Sequence, residues 1–282
     1  MTGSDHADDD REDAAGEPPR SDPADVAAEI ADRAAERGGL ALFSDFDGTL
    51  APIVERPDEA AMADGMADLL QTFRDAPAVT TAVVSGRALA DLRERVGVDG
   101  LAYAGNHGLE LDADGETTVH PAAADARDAL SEVCRRLRRE IDAQGVVVED
   151  KGATATVHYR MADEGAVPRV RERVRAAAED ASLELTSGKA VLELRPRTDW
   201  DKGRAVEWLL DRRVPDGERP TAVYVGDDTT DEAAFRALPE GGVGVKVGDG
   251  ETAADYRVAD VPAVRTLLAD VAASVGGDGA PE

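Results

Sequence analysis

Four clusters of this chain hold side chains able to do chemistry. They are Asp45-Phe46-Asp47-Gly48-Thr49-Leu50, Ser85-Gly86-Arg87, Lys202, and Gly226-Asp227-Asp228-Thr229-Thr230-Asp231-Glu232. Each has an ordinary explanation when taken alone. Asp47-Gly48 is a good turn pair, and Asp231 and Glu232 suit the first turn of a helix capped by Thr229 or Thr230. Taken together they point further. Four carboxylates, Asp45, Asp47, Asp227 and Asp228, brought to one place repel one another unless a cation sits among them, and hard oxygen donors suit Mg2+. Ser85 and Thr49 add hydroxyls, Gly48 and Gly86 let backbone N–H groups approach closely, and Lys202 adds a compact positive charge. The sum is a phosphate-shaped pocket beside a metal. Ser85 as a triad nucleophile has less support, because none of His6, His107, His120 and His158 stands in a nucleophile-elbow arrangement.

These clusters need elements that bring them together. Apolar runs of strand length precede three of them: GLALFS before Asp45, VTTAVV (Val79–Val84) before Ser85, and TAVYVG before Asp227, while Lys202 opens a helical stretch, 201–213. Helical patterns over 24–37, 62–73, 88–96 and 230–238, and strand runs LAYAG and GVGVKV, complete an alternation that predicts a parallel sheet. In such sheets reactive groups collect beyond the carboxyl ends of the strands. Between Leu109 and Pro196 the pattern changes. A hairpin around Asp114-Gly115, a long helix over 122–143, a helix over 163–180 and paired strand runs (VVVED, ATATVHYR, LELTS, AVLELRP) predict an α+β insert. The predicted fold is α/β: a doubly wound, mainly parallel core from residues 25–108 and 197–275, with an α+β cap over 109–196. Residues 1–24, acidic and poor in large apolar side chains, read as a disordered tail, and 276–282 as a flexible end.

Composition limits the partners. The chain has 282 residues and a formal charge of −27, from 32 Lys and Arg against 59 Asp and Glu. That charge repels nucleic acid and anionic lipid, so the expected partner is a small molecule. The basic run Arg135–Arg139 reads as a solvated helix face. No run of 18 apolar residues offers a membrane-spanning helix, and the N-terminus lacks the basic and apolar segments of a secretory signal, so a cytoplasmic location is expected. The single cysteine, Cys134, falls in an amphipathic helix and reads as a buried, inert thiol. Only four of the basic residues are Lys: Lys151, Lys189, Lys202 and Lys246. Acidic excess with scarce Lys suits a halophilic surface, in which concentrated salt screens dense like charge, and high coding GC content would bias Lys to Arg in the same way.

The order DFDGTL, SGR, Lys202, GDDTTDE resembles the haloacid dehalogenase superfamily of phosphohydrolases. The resemblance implies that Asp45 is the nucleophile and Asp47 the general acid and base. Ser85 and Lys202 would bind the transferring phosphoryl group. Asp45, the Asp47 carbonyl and Asp227 would hold Mg2+, with Asp228 or Asp231 supporting its waters. Arg87 would either steady its loop or reach the phosphate. An acid at the second position implies a phosphatase or mutase. The segments GNHGLE, EDKGATATVHYR, GKAVLELRP and DWDKG resemble trehalose-6-phosphate phosphatases, so that the likeness covers residues 38–270. It implies that Glu149, Lys151 and Glu193 bind glucose hydroxyls, with Lys189 in the same cap segment. It also implies a trehalose-phosphate synthase as the pathway partner upstream. Without the resemblance these residues read as charges on the solvent face of cap strands, and His107, His158, Tyr159 and Arg160 as cap packing and ion pairing. Other expectations are a capped phosphatase for sucrose phosphate or mannosylphosphoglycerate, or a non-catalytic phosphate-binding regulatory module. The module should have lost Asp47 or Lys202, and both are present.

Overall fold

The computed structural model describes residues 18–188 and 190–275; Lys189, the N-terminal 17 residues and residues 276–282 lie outside the described residues. Strands β1 (Leu40–Ser44), β2 (Val79–Val84), β3 (Ala102–Gly105), β10 (Thr221–Gly226) and β11 (Val243–Val247) form from the β-branched and apolar runs. With β4 (Glu110–Asp112), β5 (Thr117–Val119) and β12 (Tyr256–Val258) they make a sheet of order β12-β11-β10-β1-β2-β3-β4-β5. The six strands from β12 to β3 pair in parallel.

Alternation along the central strands feeds two cores, as expected of a parallel sheet buried on both faces. Leu40, Leu42, Val83, Val223 and Val225 pack toward helices α1 (Pro23–Arg37), α2 (Met66–Asp75), α3 (Leu89–Val96) and α8 (Val261–Val275). Their neighbours Ala41, Phe43, Ala82, Val84 and Tyr224 pack toward α6 (Lys202–Arg213) and α7 (Asp231–Ala237). The chain runs outward from β1 in both directions, so the sheet's topological switch lies between β1 and β10, where a ligand crevice belongs.

The cap is a second, antiparallel sheet of order β6-β7-β9-β8, formed by Val147–Asp150, Ala155–His158, Val191–Arg195 and Glu184–Gly188 respectively. Helices α4 (Pro121–Glu140) and α5 (Val167–Asp180) cover one face, packing Leu130, Leu137, Val170 and Val174 on Ala155, Val157, Leu192 and Leu194. The alternate residues face the other way. Glu149 pairs across to Thr156, Thr156 to Glu193, and Glu193 to Thr186, so the register lines up a polar row on the uncovered face.

The sequence reading differs from this fold in several places. The hairpin around Asp114-Gly115 continues the large sheet through β4 and β5, because Gly105–Tyr103 pairs antiparallel with Glu110–Asp112; the cap's own elements begin at α4. Residues 18–24, read as the end of a disordered tail, are ordered: Ser21 N–H donates to the Arg257 carbonyl (2.7 Å) and Asp22 caps α1. Helix α2 begins at Met66 because Gly65, at φ +80°, breaks the backbone before it. Helix α5 begins at Val167, with Pro168 in its first turn, as proline favours. Strand β12, too short to show a pattern, was not anticipated. The Arg135–Arg139 run is a solvated face: Arg135 pairs with Glu132, and Arg136 with Glu140 and Asp180. Cys134 is buried, and burial pushes its thiol up to about 11.

Candidate active site

Strand β1 delivers Asp45 to the carboxyl end of the sheet, where its N–H donates to the Val225 carbonyl (2.9 Å) and so joins β1 to β10. The following turn is tight. Leu50 and Ala51 N–H both donate to the Phe46 carbonyl at 2.9 Å, and Gly48 takes φ +80°. A Cβ at Gly48 would fall 2.2 Å from Asp227 Oδ2, so glycine is what lets the Asp227 carboxylate lie against the turn.

Asp45, Asp227 and Asp231 each offer an oxygen within 4.8 Å of the others. Lys202, at the N-terminus of α6, enters this well and donates to Asp231 Oδ1 (2.7 Å), with its Nζ 3.1 Å from Asp45 Oδ1. Tyr224 OH also donates to Asp231 Oδ1 (2.7 Å), and Asp228 N–H donates to Oδ2 (2.8 Å). Asp231 thus accepts three hydrogen bonds and anchors Lys202. Burial pushes Asp45 well above the ordinary carboxylate range, with Asp231, Asp227 and Asp47 adding to the rise against the opposing pull of Lys202. Burial first and Asp231 next push Asp227 up to about 6. Burial opposes the charge on Lys202, but Asp231 and Asp45 outweigh it and raise its pKa. Three crowded hard-oxygen carboxylates against one ammonium form a donor set that fits a hard dication.

The other predicted residues divide. Asp228 is outside this cluster: its Oδ1 accepts Thr229 N–H (2.8 Å). Thr230 makes no capping bond with its side chain, and the Asp231 carboxylate turns inward instead. Asp47 forms a two-pronged pair with Arg87, Nε to Oδ2 at 2.6 Å and Nη2 to Oδ1 at 2.7 Å, and Arg87 also donates to Asp91 (2.9 Å). These contacts are the ones expected of an Arg87 that steadies its loop. Ser85 is buried, its Oγ accepting Arg87 N–H (3.3 Å), and Thr49 Oγ1 is buried without a partner.

From the cap, Lys151 Nζ donates to the Gly86 carbonyl (2.9 Å) and Glu193 Oε2 lies 3.1 Å from His107 Nε2. Glu149 instead pairs with His158 (2.9 Å). Two surface cavities, of about 330 Å³ beside Arg93 and Arg213 and about 420 Å³ beside Trp200 and Trp208, include none of these residues.

Three residues at the site escaped the sequence reading. Lys246, buried at the end of β11, donates to the carbonyls of Asp227 and Val247. Lysine scarcity was the signal for it. Thr156, central in the polar row, has its Oγ1 buried and unpartnered, and the alternation of Thr154 and Thr156 with apolar residues in ATATVHYR was a weak signal. Asn106 accepts from Thr154 Oγ1 (2.8 Å) and donates to the Lys151 carbonyl (3.3 Å), stitching the cap turn to the core, with nothing in its local pattern to show it.

A doubly wound core with carboxylates at the ends of β1 and β10, a lysine opening the helix that precedes β10 and an inserted cap is the architecture of haloacid dehalogenase-like phosphohydrolases. A haloacid dehalogenase-like hydrolase from Bacteroides thetaiotaomicron shares the fold at TM-score 0.57, over 82% of this chain and 98% of that one at 15% identity. The family model of trehalose-phosphatase matches residues 43–262, and the chain belongs to that family. A trehalose-phosphate phosphatase of Mycobacterium tuberculosis is 44% identical over 79% of this chain. The match spans 58% of that relative, and 17% of an uncharacterized glycosyl hydrolase of the same species that is also 44% identical. A solved trehalose-6-phosphate phosphatase related protein superposes at TM-score 0.74 with 27% identity, over 82% of this chain and 96% of that one.

Proposed function

We propose that this chain is a Mg2+-dependent phosphatase that hydrolyses trehalose 6-phosphate to trehalose and phosphate through an aspartyl phosphate. The observation that carries the reading is the contact of Lys151, from the cap, with the Gly86 carbonyl of the Ser85-Gly86-Arg87 loop. It joins the polar row of the cap, Glu149, Thr156 and Glu193, to the loop that would bind phosphate. A row of hydroxyls and carboxylates suits a polyol, and the buried, unpartnered Thr156 Oγ1 offers it a hydrogen bond.

In the first step an Asp45 oxygen attacks phosphorus, the bond from phosphorus to the sugar oxygen breaks, and Asp47 gives that oxygen a proton. Lys202 and Ser85 hold the phosphoryl oxygens as charge shifts, a role that positioned donors perform without reorganising. In the second step water attacks phosphorus, Asp47 takes its proton, and the bond to Asp45 breaks. Asp47 faces Arg87 in the structure, so it must leave that pair to donate and can return to it as a carboxylate. Asp45 and Asp227 are the carboxylates that would hold Mg2+, with the Asp47 carbonyl as a further ligand. The dication would supply charge neutralisation for the bound phosphoryl group.

The reading extends to a cytoplasmic enzyme supplied by a trehalose-phosphate synthase. Among the described residues no helix is long and apolar enough to cross a membrane. The test is phosphate release from trehalose 6-phosphate, sucrose phosphate, mannosylphosphoglycerate and an aryl phosphate, with and without chelator. Trehalose 6-phosphate should lead and chelator should stop it; a different leading substrate, or turnover indifferent to chelator, overturns the reading.

A further inference from the structure

His107 stands where the core meets the cap. It follows β3, at the same end of the sheet as Asp45 and Ser85. Its backbone is left-handed, at φ +57°, and so is that of Asn106, at φ +49°. A left-handed L-residue costs roughly 1–2 kcal/mol. The turn is held by bonds on both sides of Gly86: Asn106 N–H donates to the Arg87 carbonyl (2.7 Å) and His107 N–H to the Ser85 carbonyl (2.9 Å). The strained turn is thus fastened to the phosphate loop itself.

The imidazole lies over Gly86, where a Cβ would come within 2.6 Å of Cε1. The Gly86 carbonyl meanwhile accepts from Lys151. Gly86 therefore sits between a core ring and a cap ammonium, and the absence of a side chain there is what admits the ring. His107 Nε2 reaches Glu193 Oε2 at 3.1 Å, across the boundary between core and cap. Its Nδ1 is buried with no partner, as is Thr156 Oγ1, whose residue is directly opposite Glu193 in the sheet register. The ring's polar contact is therefore made through Nε2 to the cap.

We propose that His107 is a specificity-determining positioning residue: it holds Glu193 over the Ser85-Gly86-Arg87 loop and thereby sets the sugar of a bound ester in register with the phosphate site. The inference rests on the function proposed above and deepens it. Its consequence is that sugar recognition in the cap and phosphate alignment in the core share one side chain. A substrate without a sugar makes no use of that link.

Two substitutions separate this role from a purely conformational one. Asparagine tolerates the left-handed backbone well but is too short to reach Glu193, whereas glutamine puts its amide nitrogen near the position of Nε2 and fits the backbone less well. Positioning therefore ranks His above Gln above Asn, and backbone accommodation ranks Asn above Gln. The measurement is kcat/KM of the full chain with Mg2+, on trehalose 6-phosphate and on p-nitrophenyl phosphate. His107→Asn should lower the ratio of the two efficiencies by roughly 10–100-fold, the span typical for loss of a partner that orients a binding group. His107→Gln should recover most of it. In a Glu193→Gln background the Asn substitution should have little further effect on the ratio. Equal loss on both substrates, or Asn outperforming Gln, overturns the inference while the proposed function stands. A wild-type enzyme with no preference for trehalose 6-phosphate over the aryl ester overturns both.

Discussion

Replacing Lys202 by Met tests the electrostatics of the carboxylate well directly. Met keeps the length of the side chain and removes the charge. Lys202 is 2% exposed, and its carboxylate partners Asp231 and Asp45 are 0% and 6% exposed, so water cannot compensate for the missing ammonium. Removing one partner of a buried pair costs roughly 3–5 kcal/mol, and two partners put this case at the upper end. At roughly 2–4 °C per kcal/mol for a domain of this size, the fall in Tm should be about 15 °C in chelator. Asp45 makes the loss pH-dependent. A carboxylate whose native pKa is raised binds a proton that the unfolded chain releases, so its contribution falls as pH rises from the unfolded value toward the native one. Without Lys202 that rise grows, so the deficit of Lys202→Met should be larger at pH 8 than at pH 5. Mg2+ should recover part of it by supplying positive charge among the same oxygens. Thermal unfolding followed by circular dichroism, at both pH values with and without Mg2+, measures all three effects. A Tm within about 2 °C of wild type in chelator at pH 8 would refute the claim that this ammonium holds the well together.

Asp45→Asn, which deletes the proposed nucleophile at constant volume, should cut turnover by about 10³-fold or more with the fold intact; wild-type-like kcat excludes Asp45 from the chemistry. Lys151→Arg should weaken kcat/KM on trehalose 6-phosphate by roughly 1–3 kcal/mol relative to an aryl phosphate, and equal losses would assign Lys151 to cap folding. Burial alone would raise Glu193, but His107, Lys151 and Arg195 outweigh it and hold it down at about 2. A depressed carboxylate stabilises above its unfolded pKa and loses that contribution as pH falls toward 2, about 3 kcal/mol over the full window. The stability gap between wild type and Glu193→Gln in denaturant titrations should therefore shrink from pH 5 to pH 3, and a gap that widens contradicts the pairing. With 59 acidic side chains, Tm should rise from dilute to molar KCl as screening relieves repulsion; a monotonic fall would leave base composition as the reason for the scarce Lys.

What the sequence made legible was whatever is local. Strand-terminal Asp45, Ser85 and Asp227 follow apolar runs whose length and β-branching announce strands, and Lys202 opens a helix. Their meeting follows from one rule about parallel sheets. Long-range pairing was not legible in the same way. Residues 109–119 form a hairpin from local turn chemistry, but which sheet receives it depends on β3 having a free edge, a property of the assembled core. Asp228 and Asp231 are equivalent on paper. They separate only because Tyr224, Lys202 and the Asp228 N–H all converge on Asp231, from elements that the sequence pattern cannot orient. The capping role expected of Thr230 yields to the same inward pull.

Lysine usage connects the two halves of the site. The chain substitutes arginine almost everywhere, yet each lysine among the described residues ends on a group of the proposed active site: Lys202 on Asp45 and Asp231, Lys151 on the Gly86 carbonyl, Lys246 on the Asp227 carbonyl. The geometry gives a reason. Lys202 fits an ammonium between two carboxylates in a well almost closed to solvent, and Lys246 divides its donors between two carbonyls, that of Asp227 just after β10 and that of Val247 at the end of β11. A compact, rotatable ammonium meets such targets, whereas a planar guanidinium needs a fork-shaped acceptor and more room. Arg87 shows the converse, because its target is one carboxylate approached side-on, and there the guanidinium makes two bonds at once. Base composition could drive lysine out of the surface, but it offers no account of where lysine stays. The retained positions follow the shape of the acceptor, so Lys246→Arg should disturb the Asp227 loop more than the exchange of any surface arginine for lysine disturbs the fold.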